Sequence, residues 1–394
     1  MTTTNEAYIL AGARTAIGTA FKGTLGQTSI YDLAETVVGQ AVARAGVAVD
    51  EVDDVILGEV MHGGGDLARH TAVRLGMLSV PGLAHQRQCA SGMAAVTTAA
   101  ASIIAGMDRV VVAGGAESSS TRPTSAYRVP GTDSWQQPWM PPTHPATPDA
   151  PADDMSITVG HNTAKIAGID RVAMDEWALR SHQRAIAATD AGWLAEEIVP
   201  VTANRPDGST VVFEVDEHPR RSSSLDKLAA LKPLHPEIEG FGVTAGNSSG
   251  VNDGAIALVL GDAVAAERVG VAPLGVIRSW ASVGVDPVRT GLAPTLAIPK
   301  ALDRAGLRLA DMALVEINEA FASVAVAGHR ILGFDPEILN VNGSGCSLGH
   351  PVAMTGARLI LTLLHELRRR GERYGVAALC AGGGMASAVV VEAR

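Results

Sequence analysis

This sequence predicts an α/β architecture of two similar halves with an inserted segment, on three observations. Strand-length apolar runs alternate with helix-length stretches, the succession typical of α/β proteins. That succession occurs twice, each time ending in glycines, at Gly114-Gly115 and again at Gly382-Gly383-Gly384. After the second run the chain returns at once with a strand-like stretch, Ala386–Val391, whereas after the first the comparable stretch, Ala255–Leu260, comes only after a long excursion. At 394 residues the chain is too long for one ordinary core, so more than one domain is expected.

In the first half, strands are expected at Ala7–Ala11 and Asp54–Leu57, with a helix between them near Ile30–Ala45. Cys89 precedes a small-residue run, Ser91–Ala105, that fits a buried helix stopped by Gly106, and a strand at Arg109–Ala113 leads into Gly114-Gly115. The second half repeats the pattern with a strand at Leu274–Ser279, a helix at Leu296–Ala305 and a strand at Leu314–Ile317. A Gly-rich turn then opens a long helix, Thr355–Arg369, followed by a strand at Gly375–Cys380. The expected division is therefore 1–120 plus 251–272 as one half, 273–394 as the other, and 121–250 as the insert. Within the insert, Thr121–Pro151 is rich in Pro, Thr and Ser and reads as a loop. Met174–Ala188 reads as an amphipathic helix, and Arg220, Arg221, Lys227 and Lys232 make the nearby segment basic.

A formal net charge of −10 argues against a general nucleic-acid binder, while a local basic patch leaves room for an anionic small molecule. Three cysteines form no disulfide scaffold and match no zinc spacing, so no metal site is expected and a reducing cytoplasm is the simplest setting. The first residues carry no basic, apolar leader, the final VEAR is no peroxisomal signal, and no apolar stretch reaches the roughly 18 residues of a membrane span.

Chemistry concentrates at a few positions. Cys89 stands between the polar run His85–Gln88 and the start of a helix, where the dipole and free N–H groups favour thiolate. Alone, it reads more simply as a small buried hydrophobe. His350 lies in a Gly-rich loop before Pro351, a setting for a rigid base and equally for a structural turn. Cys380 ends a strand and enters a glycine run whose bare amides can face a developing oxyanion or simply turn the chain. Asn318 can orient a water or cap the helix that follows.

Four motifs in order carry a resemblance. CASG at 89–92, NEAFA at 318–322, GHP at 349–351 and CAGGG at 380–384 are similar to motifs of the thiolase family, as is TAGNSSGVNDGA at 244–255. The chain resembles thiolases along essentially its whole length. This resemblance implies a thiolase-like five-layered αβαβα fold of two duplicated halves, with the insert as a loop domain covering coenzyme A. It implies an acyltransferase in which His350 activates Cys89, Cys89 attacks the 3-keto carbonyl and becomes acylated, and Cys380 moves the proton of the acetyl-CoA carbon. Coenzyme A would be a substrate and not a permanently bound cofactor, and the partners 3-ketoacyl-CoA, acetyl-CoA and CoA. One oxyanion site is implied at His350 and a water held by Asn318, the other at the backbone amides of Cys89 and Gly382. Ala245 and Ser249 would meet pantetheine with Phe321 nearby, Arg220 the CoA nucleotide, and Met155 the acyl pocket. A homodimer or homotetramer is implied, with 121–151 as the deciding segment.

The histidine loop departs from the commonest family form, G-G-A-I-A-x-G-H-P-x-G. Ser344 and Ala353 replace glycines, and Cys346 is an added thiol that reads as a packing residue. Asp154 stands before Met155, where the family carries a histidine. These changes bear on the acyl chain more than on the chemistry. Degradative cleavage of 3-ketoacyl-CoA is the first expectation, and condensation of two acetyl-CoA by an acetoacetyl-CoA thiolase the second. A serine hydrolase is a remote alternative: Gly246-Asn247-Ser248-Ser249-Gly250 fits G-x-S-x-G, and His62-Gly63-Gly64-Gly65 resembles an oxyanion loop, but the flanks do not read as strand and helix. A decarboxylating ketosynthase, or a non-enzymatic CoA or lipid binder, would share parts of this pattern; Cys380 in its glycine run favours the thiolase reading.

Overall fold

The computed structural model describes residues 6–63, 65–270 and 272–394, so the expectations for residues 1–5 and for Gly64 lie outside the described residues. Before the insert come β1 (Tyr8–Thr15), α1 (Ile30–Ala45), β2 (Asp54–Gly58), α2 (Leu67–Arg74), β3 (Gly82–His85), α3 (Ser91–Ile104) and β4 (Val110–Ser118). The insert holds β5 (Ser125–Arg128), β6 (Trp135–Trp139), the short helices Ser156–His161 and Asn162–Ala167, α4 (Arg171–Asp190), β7 (Val201–Asn204) and β8 (Thr210–Phe213). Then follow β9 (Asn252–Gly261), β10 (Gly275–Gly284), α5 (Pro294–Ala305), β11 (Leu314–Ile317), α6 (Ala322–Leu332), α7 (Val352–Arg370), β12 (Tyr374–Ala381) and β13 (Met385–Ala393).

Helix ends are set by local chemistry. Ser29 accepts a hydrogen bond from the Asp32 amide at the start of α1, and Asp170 from the Ala173 amide at the start of α4. Pro294 opens α5, and Gly46 and Gly306 close α1 and α5 in the left-handed conformation.

The long strands run in the order β11-β12-β13-β10-β1-β9-β4-β2-β3. Read outward from the centre, β1-β9-β4-β2 and β10-β13-β12-β11 are the same arrangement made twice. In each, the fourth strand is parallel to the third and the others pair antiparallel. The strands of the two copies pair at Tyr8↔Val276 and Ile9↔Gly275. Helix α1 packs on β1, β9 and β4; α5 packs on β10, β12 and β13. Between the sheets, α3 and α7 touch each other and strands of both halves, which gives the five layers α, β, α, β, α.

A central layer with no water-facing side must be apolar all round and able to approach closely. Helix α7 is buried at every position from Ala353 to Leu364. A Cβ on Gly92 would lie 2.5 Å from the Ala353 carbonyl oxygen, and one on Gly356 would lie 2.6 Å from the Met93 nitrogen. Those two glycines let the first turns of α3 and α7 cross in contact.

Two expectations are corrected. The first-half strand does not stop at Gly114 but continues to Ser118, because Gly115 is needed for clearance and not for a turn. Its Cβ would lie 2.1 Å from the Ala353 carbonyl oxygen. The segment 121–151 is not all loop; Ser125–Arg128 and Trp135–Trp139 form an antiparallel hairpin, exposed except at Trp139. Its polar, Pro-bearing strands lack the apolar alternation that marks a half-buried sheet.

The insert is tied back by charge. Arg14, fully buried on β1, forms a two-point pair with Asp216 at 2.8 and 2.9 Å and reaches Glu197 at 3.5 Å.

Candidate active site

Cys89 sits in a tight turn ahead of α3. Gln88 is left-handed (φ 48°), the Ala90 amide donates to Arg87, and the Ser91 amide donates to Gln88. The Ser91 hydroxyl locks the turn, accepting from the Arg87 amide at 2.8 Å and donating to the Gln88 carbonyl at 2.7 Å. The residue is half-buried, yet its thiol is pushed up to about 11 by burial, against the pull of the Gly382 amide. Burial thus works against the thiolate that the start of α3 favours.

His350 occupies the equivalent place in the second half. Cys89 is two residues before Ser91, the first of α3, and His350 two before Val352, the first of α7. Since those first turns touch, the duplicated fold brings the two residues toward one seam. The Asn252 carboxamide accepts from the His350 backbone amide at 3.0 Å. The Thr355 hydroxyl donates to the Pro351 carbonyl at 2.8 Å, so toward His350 it accepts, from Nδ1 at 2.7 Å. That assigns the hydrogen to Nδ1 and leaves Nε2 with its lone pair, buried and without a protein partner. Burial, and then the nearby Arg358 charge, push this imidazole down to about 3.

Cys380 lies near the end of β12, paired with Ala386. Burial and the neighbouring Cys89 hold its thiol far above the usual range. Asn318 follows β11, its amide donating to the Ala378 carbonyl at 3.0 Å, so it sits beside the same strand end. It is not a helix cap, because α6 begins at Ala322 with Phe321 in the capping position. Both polar atoms of its side chain are buried without protein partners. A Cβ on Gly345 would come within 2.8 Å of Asn318 Oδ1, which places the histidine loop against Asn318. Glu319 fastens this assembly, accepting from Trp177 at 2.8 Å and from Asn340 at 2.8 Å with one oxygen. Its other oxygen accepts from Ser181 at 2.6 Å and from the Cys346 amide at 3.2 Å. Cys346 is buried, with its sulfur 3.6 Å from the Glu319 carbonyl oxygen.

Arg220 and Ala245 line one cavity of about 130 Å³ with His182, His218, Lys227 and Cys346. The Arg220 amide donates to His182 Nδ1 at 3.2 Å, and burial pushes both histidines down to about 4. Ser249 and Phe321 lie together elsewhere: the Ser249 amide donates to the Ala320 carbonyl at 2.9 Å, and Ser248 bridges to Phe321. Met155 lies by the glycine run, its sulfur 3.7 Å from where a Gly382 Cβ would be.

Sequence reading missed Thr355, Asn252 and Glu319 as supports. Glu319 and Asn252 lie inside the quoted motifs, so a signal existed; Thr355 had none. The hydrolase alternative finds no elbow: Ser248 donates to the Thr244 carbonyl at 2.7 Å and is followed by β9 instead of a helix.

Residues 7–263 match the family described as thiolase, N-terminal domain, and residues 271–393 match thiolase, C-terminal domain. The chain is 40% identical over 398 residues to an acetyl-CoA acetyltransferase of Cupriavidus necator, covering 99% of this chain and 100% of that one. It is 39% identical over 402 residues to a 3-ketoacyl-CoA thiolase of Bacillus subtilis, covering 98% and 99%. The crystal structure of the Bacillus anthracis acetyl-CoA acetyltransferase superposes with a TM-score of 0.91 at 39% identity, over 99% of each chain.

Proposed function

This chain belongs to the thiolase family and is an acyltransferase, and from that premise we propose that it cleaves 3-ketoacyl-CoA with CoA, through an acyl group carried on Cys89. The observation that carries the site assignment is chemical. His350 Nε2 and both polar atoms of Asn318 are buried without protein partners, at the strand and helix ends that hold Cys89 and Cys380. Bare buried polar atoms beside two thiols suit a reacting carbonyl.

In this reading His350 Nε2 takes the Cys89 proton as the sulfur attacks the 3-keto carbon. The carbon–carbon bond breaks, and Cys380 protonates the departing acetyl-CoA carbanion. The Cys380 thiolate takes the proton of the incoming CoA thiol, the CoA sulfur takes the acyl group from Cys89, and His350 returns its proton to the freed Cys89 sulfur. A resting thiol beside a neutral imidazole keeps charge out of the buried site until substrate arrives. The amides of Cys89 and Gly382 serve one oxyanion; His350, with a water on Asn318, serves the other. CoA acts as substrate. Arg220 and Lys227 meet its phosphates, Ala245, Ser249 and Phe321 its pantetheine arm, and Met155 the acyl chain.

We assign 1–120 plus 251–272 and 273–394 to the two halves and 121–250 to the loop domain. A cytoplasmic homodimer or homotetramer working in β-oxidation or a related degradation is the setting that fits. Among the described residues no helix is long and apolar enough to cross a membrane. A second reading, condensation of two acetyl-CoA to acetoacetyl-CoA, is favoured by the similarity to proteins named acetyl-CoA acetyltransferase. Thiolysis assays with 3-ketoacyl-CoA of increasing length separate the two. Activity confined to acetoacetyl-CoA selects the second, and no cleavage at any length overturns both.

A further inference from the structure

Asp154, standing where the family carries a histidine, is not an idle replacement. One of its oxygens accepts from the Ser156 amide at 2.9 Å and the Ser156 hydroxyl at 2.6 Å, opening the helix Ser156–His161. The other lies 2.8 Å from His235 Nε2, while His235 Nδ1 lies 2.8 Å from Glu237 Oε1. A neutral imidazole has one N–H and can satisfy only one of two carboxylates; only the doubly protonated ring satisfies both. The ring is also packed edge-on against Phe241 at 5.0 Å, and Phe241 stacks on His161 at 4.8 Å.

The charged groups facing His235 are thus Glu237 on its own segment, Asp154 ahead of the neighbouring helix, and His161 with Lys165 on the helices beyond. The two carboxylates raise the imidazole above its usual value, Glu237 contributing most; His161 is lowered by burial and by Lys165 and His235. His235 therefore joins the 232–243 segment, which leads into Thr244–Ser249, to the residue immediately before Met155. Met155 is the side chain beside Gly382.

We propose that doubly protonated His235 is a positioning residue that ties the 232–243 segment to Asp154, fixes Met155 as the end wall of the acyl site, and so makes acyl-chain preference depend on pH. This rests on the thiolase reading above. With the tie made, Met155 stays against the glycine run and short acyl chains are preferred. When His235 loses a proton, one carboxylate contact becomes a clash of lone pairs, the tie opens, and Met155 yields to longer chains.

The test is the ratio of kcat/KM for thiolysis of acetoacetyl-CoA and 3-ketooctanoyl-CoA, measured from about pH 6 to about pH 9. Both substrates use the same thiols and the same His350, so titration of the chemistry cancels in the ratio. The ratio should fall at least ~5-fold in the unmodified protein as pH rises, a change on the scale of a few methylene contacts. In His235→Gln and Asp154→Asn it should be low and flat, with melting temperatures checked alongside. A ratio independent of pH in the unmodified protein overturns the proposal, and so does an unchanged pH profile in folded variants. Should either variant fail to fold, the unmodified series alone decides. Cleavage of acetoacetyl-CoA at any pH keeps the thiolase reading whatever the ratio does, so the two fail separately.

Discussion

Thr355 Oγ1, 2.7 Å from His350 Nδ1, decides which ring nitrogen is bare, because its own hydrogen is committed to the Pro351 carbonyl. Thr355→Val keeps the shape and removes the acceptor. The ring then loses its fixed tautomer, and kcat for thiolysis should fall by at least ~10-fold, a fraction of what a positioned base supplies. Thr355→Ser should restore most of it. Steady-state kinetics on acetoacetyl-CoA, with the rate of Cys89 alkylation as a second readout, check this.

Asn318→Ala should leave folding intact, since its side-chain atoms have no protein partner to lose. The rate should nevertheless drop about 100-fold, the usual effect of losing an oxyanion donor or the water it holds. A folded variant with unchanged kcat would remove Asn318 from the site.

His350, His182 and His218 are pushed by burial down to about 3, about 4 and about 4. Their folded values lie below the unfolded one, so below about pH 6.5 the unfolded chain binds protons that the folded chain refuses. Stability is full above that pH and declines as pH falls toward the folded values, by up to about 1.4 kcal/mol per pH unit for each group. Urea denaturation at a series of pH values between about 7 and about 4 should show the midpoint falling steadily. His182→Gln should flatten part of that slope.

Arg220 and Lys227 line the cavity with Ala245, and neither guanidinium nor ammonium is paired with a carboxylate among the described residues. Arg220→Ala should raise KM for CoA about 10-fold, as expected for losing a phosphate contact, with kcat at saturating CoA changed little. The effect should shrink as salt rises. An unchanged KM would make Arg220 a solvated surface charge.

Arg14, Asp216 and Glu197 form a buried charge cluster between β1 and the insert. Arg14→Met should destabilise the protein by about 3 kcal/mol, because two buried carboxylates are left without their cation. Chemical denaturation monitors the loss, and the conservative Arg14→Lys should recover little of it because the two-point geometry is gone.

How much of this was legible in the sequence depended on whether a signal was local. The helix near Ile30–Ala45 is legible because its signals are local, and the Ser29 cap and Gly46 fix its ends there. The strand through Gly114-Gly115 reads as ending there, because a glycine needed for a helix in the next layer looks the same as a glycine needed for a turn. Cys89, His350, Cys380 and Asn318 were each weak alone and readable only as ordered motifs. That they converge follows from strand order, which no single segment carries. The Thr355 and Asp154–His235 contacts are tertiary or nearly so, and residue type alone gave no hint of them.

The strand order also constrains how the molecule can be made. β4 has its partner in β9, from Ser118↔Asp253 to Val110↔Gly261, and the whole insert separates them. α3, meanwhile, packs on β4 and β2 with one face but has no cover on the other until α7 has been synthesised. A growing chain thus carries an apolar strand with one edge unpaired and an apolar helix with one face uncovered through much of its translation, the kind of long-range wiring that slows folding and invites aggregation. A message interrupted before α7 would yield a sticky fragment with Cys89 and an opposing half that lacks α7, β12 and β13, so for this protein late truncation should be as damaging as early truncation.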